Sequence, residues 1–302
     1  MRIGAALCAL GLLALAFVAY QLWGTALYEE QAQSHLTSEL AQQLHRKLPT
    51  TAVGLTASQR LGLPALASHT APTQADPAVN QPVGLLSIPN IGILDTIVEG
   101  VGEAQLEQGP GHYPGTAMPG ESGNVAIAGH RTTYAHPFYN LNELAPGENV
   151  YILTKQGLFR YTVTGTEIVS PSDTAILDTV PGQSTLTLTT CNPRYSAATR
   201  LVVTADFDGQ TVATDPAPSP PKVPKATELA GEAGALGGGG APVAPAVVWG
   251  VVTVVLAAAA VVVWRRVRGW HRAVVVVAAV PLVALTLLVC FEHVSLALPG
   301  SF

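Results

Sequence analysis

Hydropathy divides the chain into a membrane-like start, a mixed middle and a membrane-like end. Residues 3–23 are about twenty mostly apolar positions with no charge, preceded by Arg2 and followed by Glu29 and Glu30, long enough to cross a bilayer at about 1.5 Å per residue. The run closes on Tyr20, Leu22 and Trp23, which suit the membrane interface better than a cleavage site, so an uncleaved anchor is expected over 1–24. Residues 243–264 and 273–291 are apolar on every face and predict a transmembrane hairpin over 243–291, with a short outer tail at 292–302.

The middle is different. Residues 26–47 read as a helix, with Leu36, Leu40, Leu44 and Leu48 at i, i+4 spacing, expected to prolong the anchor as a stalk. Residues 49–82 are rich in Ala, Thr and Pro without a sustained period, and 209–242 carry Pro216, Pro218, Pro220, Pro221 and Pro224 ahead of four glycines, 237–240. Both read as linkers. A stalk and linker at 25–82 and a Pro/Gly-rich linker at 209–242 therefore bound one compact domain, 83–208. Inside it, 124–130, 150–154, 158–166, 184–191 and 200–207 are short, rich in β-branched or aromatic residues, and separated by Gly, Pro, Asn and Asp. Short helical turns are expected only near 103–107 and 172–178. The pattern predicts an all-β domain, an antiparallel sandwich or barrel.

Composition agrees with the membrane reading, because only 12% of the 302 residues are charged, about half the share of a soluble domain. Four arginines between residues 265 and 272 make the turn of the hairpin cytoplasmic by the positive-inside rule. Arg2 puts the N-terminus on the same side, so residues 25–240 are expected outside. A net charge of -5 offers nothing to nucleic acid. Of the three cysteines, Cys8 and Cys290 sit in apolar runs and Cys191 stands alone, which excludes a disulfide scaffold or zinc module.

Strand parity points to chemistry. If Leu186 and Leu188 face the core, Cys191 ends its strand on the other face with Thr185, Thr187 and Thr189. The same rule turns Val125 and Ile127 inwards and puts His130 with Ala126 and Ala128, and it sets Arg200 opposite Leu201 and Val203. A thiol, an imidazole and a guanidinium could then share one surface among small side chains. Each alone is a common structural residue, and parity does not make three strands neighbours. Together they form an acyl-transfer set: a nucleophile, a proton carrier and a cation for the oxyanion.

At these residues the sequence resembles the sortase family of membrane-anchored cysteine transpeptidases. Thr187-Leu188-Thr189-Thr190-Cys191-Asn192-Pro193 is similar to the family's T-L-x-T-C signature, with Arg200 nine residues on. The run from Asn124 to Arg131 resembles the strand that delivers its histidine, and Gly109 to Thr116 and Pro137 to Leu141 resemble segments around it. The resemblance covers about 85–207 and implies an eight-stranded β-barrel. It also implies Cys191, His130 and Arg200 as catalytic residues, with Thr189, Thr190, Arg131 and Tyr134 as substrate-binding residues and 170–183 as a groove wall. By the same likeness, Cys191 would cleave a C-terminal sorting signal between Thr and Gly through a thioester. The protein would then pass to an amine of a peptidoglycan precursor.

Gly129 to Tyr134 together with Cys191-Asn192-Pro193 look most like class E, the housekeeping type of high-GC Gram-positive actinobacteria, which implies Leu-Ala-x-Thr-Gly as the signal. The C-terminal span departs from that class and is more familiar in pilin-polymerising members, but Asp76-Pro77-Ala78 lacks the aromatic residue of their lid. The alternatives are a pilin polymerase, a hydrolase and a non-catalytic membrane scaffold that binds sorting signals. The expected partners are surface proteins bearing the signal, the wall amine and membrane lipid. No cofactor and no metal are expected, since His112 and His136 have no carboxylate or Cys partner at ligand spacing.

Overall fold

The computed structural model describes residues 11, 13, 15–18, 20, 24–49, 64–180, 182–210 and 243–297. Most of the expected anchor at 1–24, part of the tail at 292–302 and nearly all of the linker at 209–242 lie outside them. Two compact units divide at residues 21–22 and 237–238.

The larger unit holds a helix α1 (Thr25–Gln43) and eight strands: β1 (Pro82–Ile88), β2 (Ile93–Glu99), β3 (Gly111–His112), β4 (Gly123–Ala128), β5 (Asn149–Thr154), β6 (Gly157–Val169), β7 (Ser184–Asn192) and β8 (Thr199–Phe207). A one-turn helix α2 (Glu103–Leu106) follows β2. The strands close into a barrel in the order β1-β2-β3-β4-β7-β8-β6-β5. Unlike the expected all-antiparallel sheet, β2–β3 and β4–β7 pair in parallel. Val125, Ile127, Leu186, Leu188, Leu201, Val203, Ala205 and Phe207 face the barrel core as alternation requires.

Strands β1 to β3 escape the sequence pattern for physical reasons. Strand β1 is buried along its whole length, with Leu86 in the barrel core and Leu85 in an outer cluster with Leu40, Tyr151, Leu153 and Leu158. A strand covered on both faces does not alternate, and β3 is two residues long.

The cover is α1, which is docked on the barrel and is not a free stalk. Leu36 and Leu40 are buried, each contributing about 1.5–3 kcal/mol. On β2, Gln33 replaces a missing stretch of ladder. Its Oε1 accepts the Thr96 N–H at 2.7 Å, and its Nε2 donates to Thr96 O at 2.9 Å and to Gln108 O at 2.8 Å. Because β3 pairs only with Val98 and Glu99, a side-chain amide supplies what a longer neighbour would. The Thr37 and Thr96 hydroxyls meet at 2.7 Å. One turn before Gln33, Glu29 is 4% exposed. Burial, with Asp95 and Glu30 beside it, pushes its carboxyl up to about 8, and burial pushes Asp95 up to about 6.

Residues 64–81, expected as linker, lie along the barrel: Leu66 bridges to Leu158, His69 bridges to Gln210, and Ala71 N–H donates to Gly120 O at 2.7 Å. His112 also departs from expectation. It has a carboxylate partner, Glu99 Oε2, 2.8 Å from Nδ1, with both side chains buried. The partner lies on the parallel neighbour β2 in register with His112, so no sequence spacing announces it. Burial lowers the imidazole's affinity for a proton, but Glu99 outweighs it and raises the pKa overall.

In the smaller unit, helices α3 (Ala244–Arg266) and α4 (His271–Ala297) pack together. Both are long and apolar enough to cross a membrane. Thr253 and Thr286 return their hydroxyls to carbonyls of their own helices at 2.8 and 3.1 Å, as polar groups in hydrocarbon must. Phe17 and Tyr20 pack their rings against Phe291 at 5.2 and 5.8 Å.

Candidate active site

The parallel pair β4–β7 is what assembles the site. Ala128 is in register with Thr189, and the Gly129 N–H extends the ladder to Thr189 O at 3.1 Å. Two residues further along each chain stand His130 and Cys191, at the same end of neighbouring segments. Strand β4 stops at Ala128, so His130 opens a loop instead of ending the strand expected over 124–130. On the other side of β7, Cys191 is in antiparallel register with Arg200. The order around the barrel is therefore imidazole, thiol, guanidinium.

Parity is met. Cys191 lies on the outer face in a small cluster with Val101, Leu106, Tyr113, Ala126, Ala128 and Leu177. Alanines at 126 and 128 keep that face low. Within the expected groove wall, Ile176 and Leu177 pack against this cluster from a 3-10 turn (Ala175–Leu177), fixed where the Asn124 amide donates to Ile176 O at 2.8 Å.

Burial sets the charge states. Desolvation pushes the Cys191 thiol up, partly offset by Arg200 and Arg131, while desolvation pulls His130 down to about 4. Near neutral pH the resting pair is thus a protonated thiol and a neutral imidazole. His130 Nε2 is buried without a hydrogen-bond partner. Its ring stacks on Tyr134 at 5.2 Å and 31°. Tyr134 in turn donates its hydroxyl to Glu107 Oε1 at 2.7 Å, gives its N–H to Thr25 Oγ1 at 3.3 Å, and meets the edge of Tyr28 at 6.5 Å. The first turn of α1 therefore sits on the loop that carries the histidine. Arg200 is buried, with Nη1 donating to Ala197 O and Thr199 O at 3.1 and 3.2 Å.

The residues expected to bind substrate divide. Thr189 is buried with its hydroxyl unpartnered, on the same strand face as Cys191. Thr190 is corrected: it is on the leucine face, fully buried, and its hydroxyl donates to Gly129 O at 2.7 Å, a strut between β7 and the histidine loop. Arg131 is 6% exposed and gives Nη1 to Cys191 O and Asn192 Oδ1 at 3.0 and 2.7 Å and Nη2 to Asn142 Oδ1 at 2.9 Å. That network is internal. Asn142 and Arg194 belong to it and went unnoticed in the sequence, where they are ordinary loop residues with no spacing signal. Among the described residues, no group of three His, Cys, Asp or Glu could hold a metal ion.

A family model described as the sortase domain matches residues 86–208. Sortase SrtE1 of Streptomyces coelicolor is 32% identical over 212 residues, covering 64% of this chain and 53% of that protein. Sortase D of Bacillus subtilis is 38% identical over 117 residues, covering 39% and 58%. The chain thus spans a little over half the length of these curated relatives. A solved sortase E mutant of Streptomyces avermitilis is 34% identical, covering 44% of this chain and 91% of that one with a TM-score of 0.40.

Proposed function

We propose, from the match of residues 86–208 to the sortase domain, that the chain is a class E-like cysteine transpeptidase of the sortase family. Its substrate is a C-terminal sorting signal of the Leu-Ala-x-Thr-Gly kind. Cys191 Sγ attacks the Thr carbonyl while the neutral His130 imidazole takes the thiol proton. As the C–N bond breaks, His130 passes that proton to the glycine amine, which leaves, and a thioester to Cys191 remains. An incoming wall-precursor amine attacks the thioester and gives a proton to His130, which returns it to the departing thiolate. Arg200 holds the carbonyl oxygen as it becomes an oxyanion, and Thr189 offers its hydroxyl to the signal. The observation that carries this reading is the register that aligns His130, Cys191 and Arg200 on three adjacent segments. The barrel works outside the cell, held by the first span and the C-terminal hairpin.

The full-length chain in lipid, given Leu-Ala-x-Thr-Gly and Leu-Pro-x-Thr-Gly peptides with an amine, is followed by mass spectrometry. The expected result is a Cys191 adduct and amine-dependent ligation that prefers the alanine peptide. Cys191→Ala removes both. Ligation surviving in Cys191→Ala overturns the mechanism, and cleavage without ligation makes the protein a hydrolase.

A further inference from the structure

The catalytic loops are tied together by two arginines that cross between them. Arg131, next to His130, reaches out of the histidine loop to Cys191 O and Asn192. Arg194, three residues past Cys191, reaches back: its guanidinium lies 4.1 Å over the Tyr139 ring and donates to Tyr139 O at 3.3 Å and Asn140 Oδ1 at 3.4 Å. The arginines meet at one atom. Asn142 Oδ1 accepts from Arg131 Nη2 at 2.9 Å and from Arg194 Nη2 at 3.2 Å. Glu143 is the nearby carboxylate, 3.9 Å from Arg194 and more than half exposed.

We propose that Asn142 is a positioning residue for the transpeptidase reaction, its amide oxygen locking Arg131 onto the Cys191 carbonyl and thereby holding the histidine loop and the cysteine strand at working distance. The inference rests on the transpeptidase reading, and the single amide oxygen shared by both arginines is the informative feature. A planar guanidinium held on two sides keeps one orientation, whereas an arginine bound only to a carbonyl swivels. Neither arginine can turn without releasing the other loop. The held cation also acts on the thiol, which is faced by Arg200 from β8, Arg131 from the histidine loop, and Tyr113 from the segment after β3. Of these, only Arg131 depends on Asn142 for its place.

Two readouts test this in the full-length chain with Cys8 and Cys290 changed to Ser. The first is the pH dependence of Cys191 alkylation by iodoacetamide, which needs no peptide and no transfer. The second is kcat and KM for transfer. Asn142→Ala is expected to move the alkylation midpoint to higher pH and to lower kcat by about tenfold with KM little changed, since misplacement of a reacting group acts on the chemical step. Asn142→Asp, which keeps an oxygen for both arginines, is expected to recover most of kcat. Arg131→Lys retains charge without the fork, and is expected to resemble Asn142→Ala in kcat while leaving the midpoint close to wild type. Asn142 is exposed, so its variants should melt with the parent. The proposal is overturned if Asn142→Ala matches the parent in both readouts, or if Asn142→Asp is as impaired as Asn142→Ala. A parent that alkylates normally but transfers to no amine refutes the transpeptidase reading instead, leaving the alkylation arm to decide whether Asn142 holds Arg131.

Discussion

Replacing Glu29 by Gln should tighten the docking of α1, and more so as pH rises. Glu29 is buried against Asp95 on β2, and its carboxyl climbs from an ordinary 4.5 to about 8. A raised folded value means that the native state holds the proton more firmly than the unfolded chain. The stabilisation is therefore complete below pH 4.5 and is lost as pH rises to about 8. At 1.36 kcal/mol per pH unit the full span corresponds to about 5 kcal/mol. By pH 7 roughly two-thirds of that is already lost, and solvent near the helix end reduces it to about 1–2 kcal/mol of real benefit for a neutral Gln. The Thr96 amide reports the event directly, because its acceptor is Gln33 of α1. Hydrogen exchange at Thr96, corrected for intrinsic rate, should show a protection factor falling above pH 6 in the parent and staying level in Glu29→Gln, with a gap of about tenfold at pH 7. Equal protection in the two proteins at pH 7 and pH 9 would refute the assignment of a buried, protonation-dependent carboxyl to this contact.

Gly129 lies between β4 and His130, and a Cβ there would stand 2.7 Å from Phe138 Cδ2. Gly129→Ala should cost about 1–3 kcal/mol by overpacking, visible as a lower melting temperature, and an unchanged melt would show that the loop yields freely. Glu99→Gln leaves His112 without its counter-charge inside the barrel and should cost about 3–5 kcal/mol in chemical denaturation near pH 6. The raised His112 value makes that loss greatest below the ordinary imidazole pKa and smaller as pH rises through the folded value, so a loss that grows with pH would contradict the charged pair. Tyr134→Ala removes the ring on His130, letting water in and raising the imidazole from about 4 towards its ordinary value. The acid limb of the transfer pH profile should shift upwards, and a fixed limb would show that Tyr134 does not shield the histidine.

Sequence and structure meet most closely where one strand face is core and the other is not. Strands β4, β7 and β8 alternate, and that parity puts Cys191 on the outer face with Ala126 and Ala128 and opposite Leu188. Strand β1 could not be read this way, since α1 covers its outer face and Leu85 and Leu86 are both buried. The docking of α1 was hidden for a related reason: its seat is polar, made by Glu29, Gln33 and Thr37 at i, i+4 spacing, and a polar stripe reads as solvated. Thr190 shows the opposite error, because nearness to Cys191 in sequence outweighed parity, which had already set it with the leucines. The Asn142 crossing joins two irregular loops, where no period exists to be read.

The pairing of β4 with β7 also fixes an order of assembly. Their partners lie about sixty residues apart in the chain, whereas the β5–β6 and β7–β8 hairpins close over short turns. Loop-closure entropy delays such a distant pairing until the hairpins between and beyond it have formed. A chain made from its N-terminus therefore carries His130 long before it carries Cys191, and for a time carries both without joining them. The pairing that sets Cys191 beside the histidine loop is thus among the last events of folding, and a half-made copy holds the imidazole without the thiol.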